Sequence, residues 1–145
     1  MNHLSYSDAP HNWAICFQDE CPLAATCLRH AVALLAPDGL THHHTVLPAA
    51  REAAPCRLYV EARPVVIARG MTHIFDDVRP ADVPALRERM MGVFGCRAHY
   101  YRYRSGRYDI TPGQQERLAA LFRHFGYTQP LHFDHTAEQY FFPKP

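Results

Sequence analysis

The chain has no long apolar run. Its most hydrophobic stretches, Val60 to Ala68 and Ala31 to Leu35, are short, and Glu61 and Arg63 interrupt the first, whereas a membrane-spanning helix needs roughly eighteen apolar residues. No membrane partner is therefore expected. Charge of one sign is also missing: 15 Lys and Arg stand against 14 Asp and Glu, a formal balance of +1. Attraction to nucleic acid would have to come from a local patch. The opening residues, Met1 to Asp8, lack the basic region and apolar core of a signal peptide, which points to the cytoplasm. There is no Gly-rich phosphate cradle, no paired-histidine metalloprotease motif and no nucleophile elbow around a serine. His99, His124, His132, His135 and Asp134 are scattered acid–base groups rather than a constellation. Binding is expected ahead of catalysis.

What the chain does have is cysteine. Cys16, Cys21, Cys27 and Cys56 form a group, with four intervening residues and then five between the first three, and Cys96 makes the total five. In a reducing compartment such thiols are not expected to pair as disulfides, and an odd count argues against a complete disulfide framework. A tetrahedral zinc ion takes four thiolates and offsets their mutual repulsion. A four-iron cluster is the alternative, because its size tolerates wider ligand spacing. Reduced, buried thiols without metal are the third reading, since cysteine is a common small core residue. An all-cysteine zinc site leaves no position open for water, so its role would be structural. No Cys-x-x-Cys dithiol is present to support redox chemistry. Cys96, after Gly95, reads as a core thiol outside the set.

The spacing of apolar residues gives an α+β pattern in a single domain over 1–145, with three main helices and a short antiparallel sheet or hairpin. Residues 1–12 read as an arm anchored by Tyr6 and Trp13. Pro22 suits the first turn of a helix that Leu23, Cys27, Leu28, Val32 and Leu35 continue to Pro37-Asp38-Gly39, which places Cys27 on the second turn. His42-His43-His44 reads as a solvated loop. Leu58 to Val60 and Val65 to Ala68 read as strands separated at Pro64, and Gly70 permits a change of direction. A second helix follows Pro80 to Pro84, with Leu86, Met90, Met91 and Phe94 inside and Gly95 as its stop. Thr111-Pro112-Gly113-Gln114 opens the third, with Leu118, Leu121, Phe122 and Phe125 as its buried stripe and Gly126 at its end. The aromatic tail, 130–145, is expected to dock.

Ala98 to Ile110 carries the densest basic and aromatic run and reads as a β-hairpin turning at Ser105-Gly106. In that reading Tyr101 and Tyr103 share one face and Arg102 and Arg104 the other. Arg102, Arg104 and Arg107 would grip phosphates, with Tyr101 and Tyr103 stacking on bases, so the expected partner is DNA or RNA, and otherwise protein. The alternatives to a zinc-stabilised nucleic-acid binder are an iron–sulfur regulatory or redox protein and a metal-free protein-interaction domain.

Cys16, Cys21-Pro22, Cys27-Leu28-Arg29-His30, Cys56, the Tyr100-Tyr101-Arg102-x-Arg104-x-Gly106 run and Thr111-Pro112-x-x-Gln115 together resemble an uncharacterised family of small proteins from gut-dwelling Bacteroidetes. The resemblance covers nearly the whole chain. It implies that the four cysteines and the tyrosine and arginine run belong to one compact bacterial protein, and it brings no activity with it.

Overall fold

The computed structural model describes residues 3–144. The fold class is α+β, with four α-helices and a two-stranded antiparallel sheet. In chain order the elements are α1 (Leu28–Leu34), β1 (Pro64–Arg69), α2 (Val83–Phe94), α3 (Arg97–Arg104), α4 (Pro112–His124) and β2 (His135–Tyr140). The chain forms two compact units, one comprising residues up to Val65 together with those from Gln139 onward, the other Val66–Glu138. Residues 1, 2 and 145, the ends of the expected arm and tail, lie outside the described residues.

The first unit packs around Trp13, Ile15, Leu28, Val32 and Ala33, with Leu4, Tyr6, Tyr140 and Phe142 against them. Residues from both the first and the last described segments dock here, Leu4 and Tyr6 from one and Tyr140 and Phe142 from the other. Trp13 donates its indole N–H to the Pro143 carbonyl at 3.0 Å and meets Phe142 edge-on at 5.0 Å. Helix α1 is shorter than its apolar spacing predicts. Cys27 is extended, at φ −92° and ψ 123°, and forms an antiparallel bridge with Glu61. The flanking backbone is committed to the same pairing, with Leu28 N–H donating to Val60 and Ala62 N–H to Thr26. Residues Ala24–Thr26 therefore form a separate 3-10 turn, and Cys27 caps α1 instead of sitting on its second turn. The strand expected at Leu58 to Val60 does not form, and the one bridge lies at the next residue, Glu61. Pro64 opens β1, where its missing N–H is tolerated, instead of separating two strands.

The second unit packs around residues of β1, α2, α3, α4 and the segments between them, among them Ala68, Met71, Leu86, Met90, Phe94, Tyr100, Ile110, Leu118 and Phe122. Helix α2 packs against both α3 and α4. Gly95, at φ +92°, ends α2 as expected. Thr111 and Gln114 form the reciprocal capping box of α4, with the Gln114 N–H donating to Thr111 Oγ1 at 3.3 Å and the Thr111 N–H to Gln114 Oε1 at 3.0 Å.

The hairpin expected over Ala98 to Ile110 is not there. Arg97–Arg104 is helix α3, and the turn at Ser105-Gly106 is the helix exit, with Gly106 at φ +82°. The cause is packing at helical spacing. Tyr100 is fully buried, and Tyr103, three residues on, stacks on Phe94 with ring centroids 4.3 Å apart. Those two tyrosines share the buried face, and Tyr101 points away at 39% exposure. The antiparallel sheet is made by β1 and β2 instead.

Gly70 makes the turn out of β1 at φ +75°, and its carbonyl accepts from the Asp134 N–H at 3.0 Å. The Asp134 carboxylate in turn accepts from the Thr72 N–H and from its hydroxyl, the latter at 2.9 Å. A Cβ at position 70 would stand 2.9 Å from Asp134 Cβ. Gly70→Ala meets an unfavourable φ and that clash together, so a loss of about 2 kcal/mol is expected. Urea denaturation checks it, and a loss below about 0.5 kcal/mol would contradict the turn geometry.

Candidate thiol-lined metal centre

The four cysteines that the sequence groups come together in the first unit. Cys16, Cys21, Cys27 and Cys56 line one cavity of about 20 Å³, walled also by Gln18, Arg29 and Tyr59. Each arrives by a different route. Ile15 pairs with Thr45 in a parallel bridge, and Cys16 follows it, its N–H donating to the Arg29 carbonyl at 3.0 Å. The loop then turns at Cys21, whose N–H reaches the Gln18 carbonyl at 3.2 Å. Cys27 is fixed by its bridge to Glu61. Cys56 is held by Tyr59, whose N–H donates to the Cys56 carbonyl at 3.1 Å and whose hydroxyl bonds Thr26 Oγ1 at 3.0 Å.

Cys16 is buried, and Cys21, Cys27 and Cys56 are half-buried. Burial pushes the Cys16 thiol up, a hydrogen bond from the Gln18 backbone holds it back, and repulsion from Cys27, Cys21 and Cys56 pushes it further up. A cation that binds all four sulfurs relieves that repulsion. Gln18 Oε1 is buried with no hydrogen-bond partner among the described residues, on the wall of the same cavity. Among the described residues, no group of three or more His, Cys, Asp or Glu side chains is drawn together closely enough to hold an ion as it stands. The thiols ring the space without having closed on it.

Residues that sequence spacing did not single out complete the wall. Arg29 is 4% exposed, donates from Nε to the Leu58 carbonyl at 2.7 Å and from Nη1 to the Ala14 carbonyl at 2.6 Å, and lies over the Trp13 ring at 4.2 Å. Burial lowers its guanidinium pKa, and the electrostatic interaction with Cys27, Cys56 and Cys16 opposes that shift. His30 Nδ1 donates to the Cys16 carbonyl at 3.0 Å while Nε2 faces Asp19 Oδ1 at 3.4 Å. The available signal was a charged residue on the buried stripe of α1, beside Leu28, Val32 and Ala33. Cys96, expected as a core thiol, is exposed at the start of α3, because the extended backbone after Gly95 turns it outward.

The second set of predicted residues is only partly available. Arg102 and Arg107 are exposed and Arg104 is half-buried on and just after α3. Arg102 donates to the Tyr108 hydroxyl at 3.0 Å, and Arg97 lies over the Tyr101 ring at 5.7 Å. Tyr103 is packed on Phe94, and its hydroxyl accepts from Gln114 at 3.3 Å, so it supports the fold and does not offer a free ring. No Asp or Glu occurs from Gly92 to Tyr108.

The fold and this wall of cysteines define an α+β protein with a thiol-lined cavity. The model of a family of unknown function, DUF6078, matches residues 1–142, and the chain belongs to that family. No protein with a curated description and no solved structure matches it. Among the described residues no helix is long and apolar enough to cross a membrane.

Proposed function

We propose that the protein is a zinc-stapled binding domain of the cytoplasm, with Cys16, Cys21, Cys27 and Cys56 as the ligands and nucleic acid as the partner. The observation that carries the metal reading is the convergence of four thiols from three chain segments on one cavity of about 20 Å³. Four thiolates complete the shell of one zinc ion, and an iron–sulfur cluster is the second reading. Four thiolates saturate a tetrahedral ion, so the centre holds structure and does not activate water.

The partner reading rests on α3. Arg102 on α3, Arg107 just after it and Tyr101 are exposed in a stretch, Gly92 to Tyr108, that holds no Asp or Glu, and they offer phosphate donors beside a stacking surface. Protein purified without oxygen is expected to be colourless and to contain one zinc per chain; a brown protein rich in iron would establish the cluster instead. On a mixed nucleic-acid matrix, retention is expected to fall with salt, and the Arg102→Gln/Arg107→Gln double variant to shed about two units of the log–log salt slope. No retention of the wild type at low salt would leave a protein partner as the reading of this surface.

A further inference from the structure

Arg29 poses a problem that its own hydrogen bonds do not solve. It is 4% exposed, and among the described residues no carboxylate is paired with it. The Leu58 and Ala14 carbonyls accept from its Nε and Nη1, and Trp13 covers its face, but none of these is an anion. A guanidinium does not discharge by deprotonating, and a buried charge without a counter-charge is strongly disfavoured. The ionisable groups that share its cavity wall are the four cysteines, Tyr59 and a second, half-buried cation, Arg51. Any counter-charge on that wall comes from the cysteine sulfurs, since the Tyr59 hydroxyl is engaged by Thr26.

The placement is also specific. Arg29 follows Cys27 by two residues, and its two donated bonds reach Ala14, two before Cys16, and Leu58, two after Cys56. One side chain thus ties three of the segments that deliver the cysteines. Four thiolates around a divalent ion carry a net charge of minus two, and two arginines on the wall are equal to it in magnitude and opposite in sign. We infer that Arg29 is the positioning residue and built-in counter-cation of a four-thiolate metal centre, offsetting half of its net charge while gathering its ligand segments. This rests on the metal reading above. The site is thereby suited to a divalent ion that keeps all four thiolates charged.

The test uses the full chain loaded with cobalt(II), whose thiolate charge-transfer absorption reports the ligands directly. Wild-type protein binds one cobalt with the intense bands of a four-sulfur site; if it does not, the metal reading itself fails. With that established, Arg29→Met is expected to lose affinity by about 10–100-fold in chelator competition. Its charge-transfer band moves to lower energy, because thiolates without a nearby cation give up electrons more easily. Arg29→Lys, which keeps the charge, is expected to stay within about threefold of wild type with an unshifted band. Wild-type affinity and band position in Arg29→Met overturn the inference, as does a lysine variant impaired as much as the methionine one. Should Arg29→Met fail to fold, Arg29→Lys decides alone: a loss beyond about tenfold, or a shifted band, overturns it.

Discussion

Stripping the metal with a strong chelator, or replacing Cys27 by serine, is expected to unfold the first unit and to show it through one reporter. Trp13 is the chain's single tryptophan, 3% exposed in that unit's core beneath Arg29. Its emission should shift to longer wavelength as the indole meets water. The core there is small, with Trp13, Ile15, Leu28, Val32 and Ala33 at its centre and long loops around it. Four thiols with no ion between them leave those loops tied by scattered backbone bonds. Binding energy at a structural zinc site is folding energy, on the order of 10 kcal/mol in small zinc domains, so its loss should cost this unit at least about 5 kcal/mol. Serine at position 27 keeps the size and the backbone bridge to Glu61 but supplies a hydroxyl that does not ionise to bind zinc. Cys96→Ser is the control, because Cys96 is exposed and lies in the second unit. Unchanged emission in chelator would place the thiols as ordinary core residues.

In the second unit the largest effect is expected from Phe94→Ala. Phe94 is 5% exposed at the end of α2, stacks on Tyr103 and stands 6.4 Å from Tyr100 across the junction with α3. Deleting a buried phenyl ring leaves a cavity that the surrounding helices fill only in part, which costs about 3–5 kcal/mol. Two tyrosines lose their partner at once, so the loss should fall at the upper end. Chemical denaturation followed by circular dichroism measures it. A loss under about 1 kcal/mol would mean that α3 does not pack on α2 through this ring.

Local signals located much of this fold. The Thr111 capping box, the Pro at the first turn and Leu118 and Phe122 at helical spacing bounded α4, and each is a short-range property of the chain. Gly95 ended α2 for the same kind of reason. Helix α3 was not legible, because Tyr101-Arg102-Tyr103-Arg104 alternates with the period of a strand. Its true periodicity, Tyr100 with Tyr103, emerges only when Phe94 supplies the surface they pack on. Cys27 was misplaced on a helical turn because its bridge partner, Glu61, is remote in sequence.

The candidate site shows the same division. The grouping of the four cysteines could be read from spacing, but their common cavity depends on the Ile15–Thr45 and Cys27–Glu61 bridges, which join distant segments. Spacing in the sequence does not set Arg29 apart from other charged residues. Only its burial, and the remote carbonyls of Ala14 and Leu58, give it a role at the centre.

Zinc-edge X-ray absorption on protein purified without oxygen tests the central claim most directly. The account predicts one zinc per chain with a first shell of four sulfur atoms near about 2.3 Å and no nitrogen or oxygen. A shell containing histidine nitrogen or water oxygen, or protein free of zinc, would contradict it.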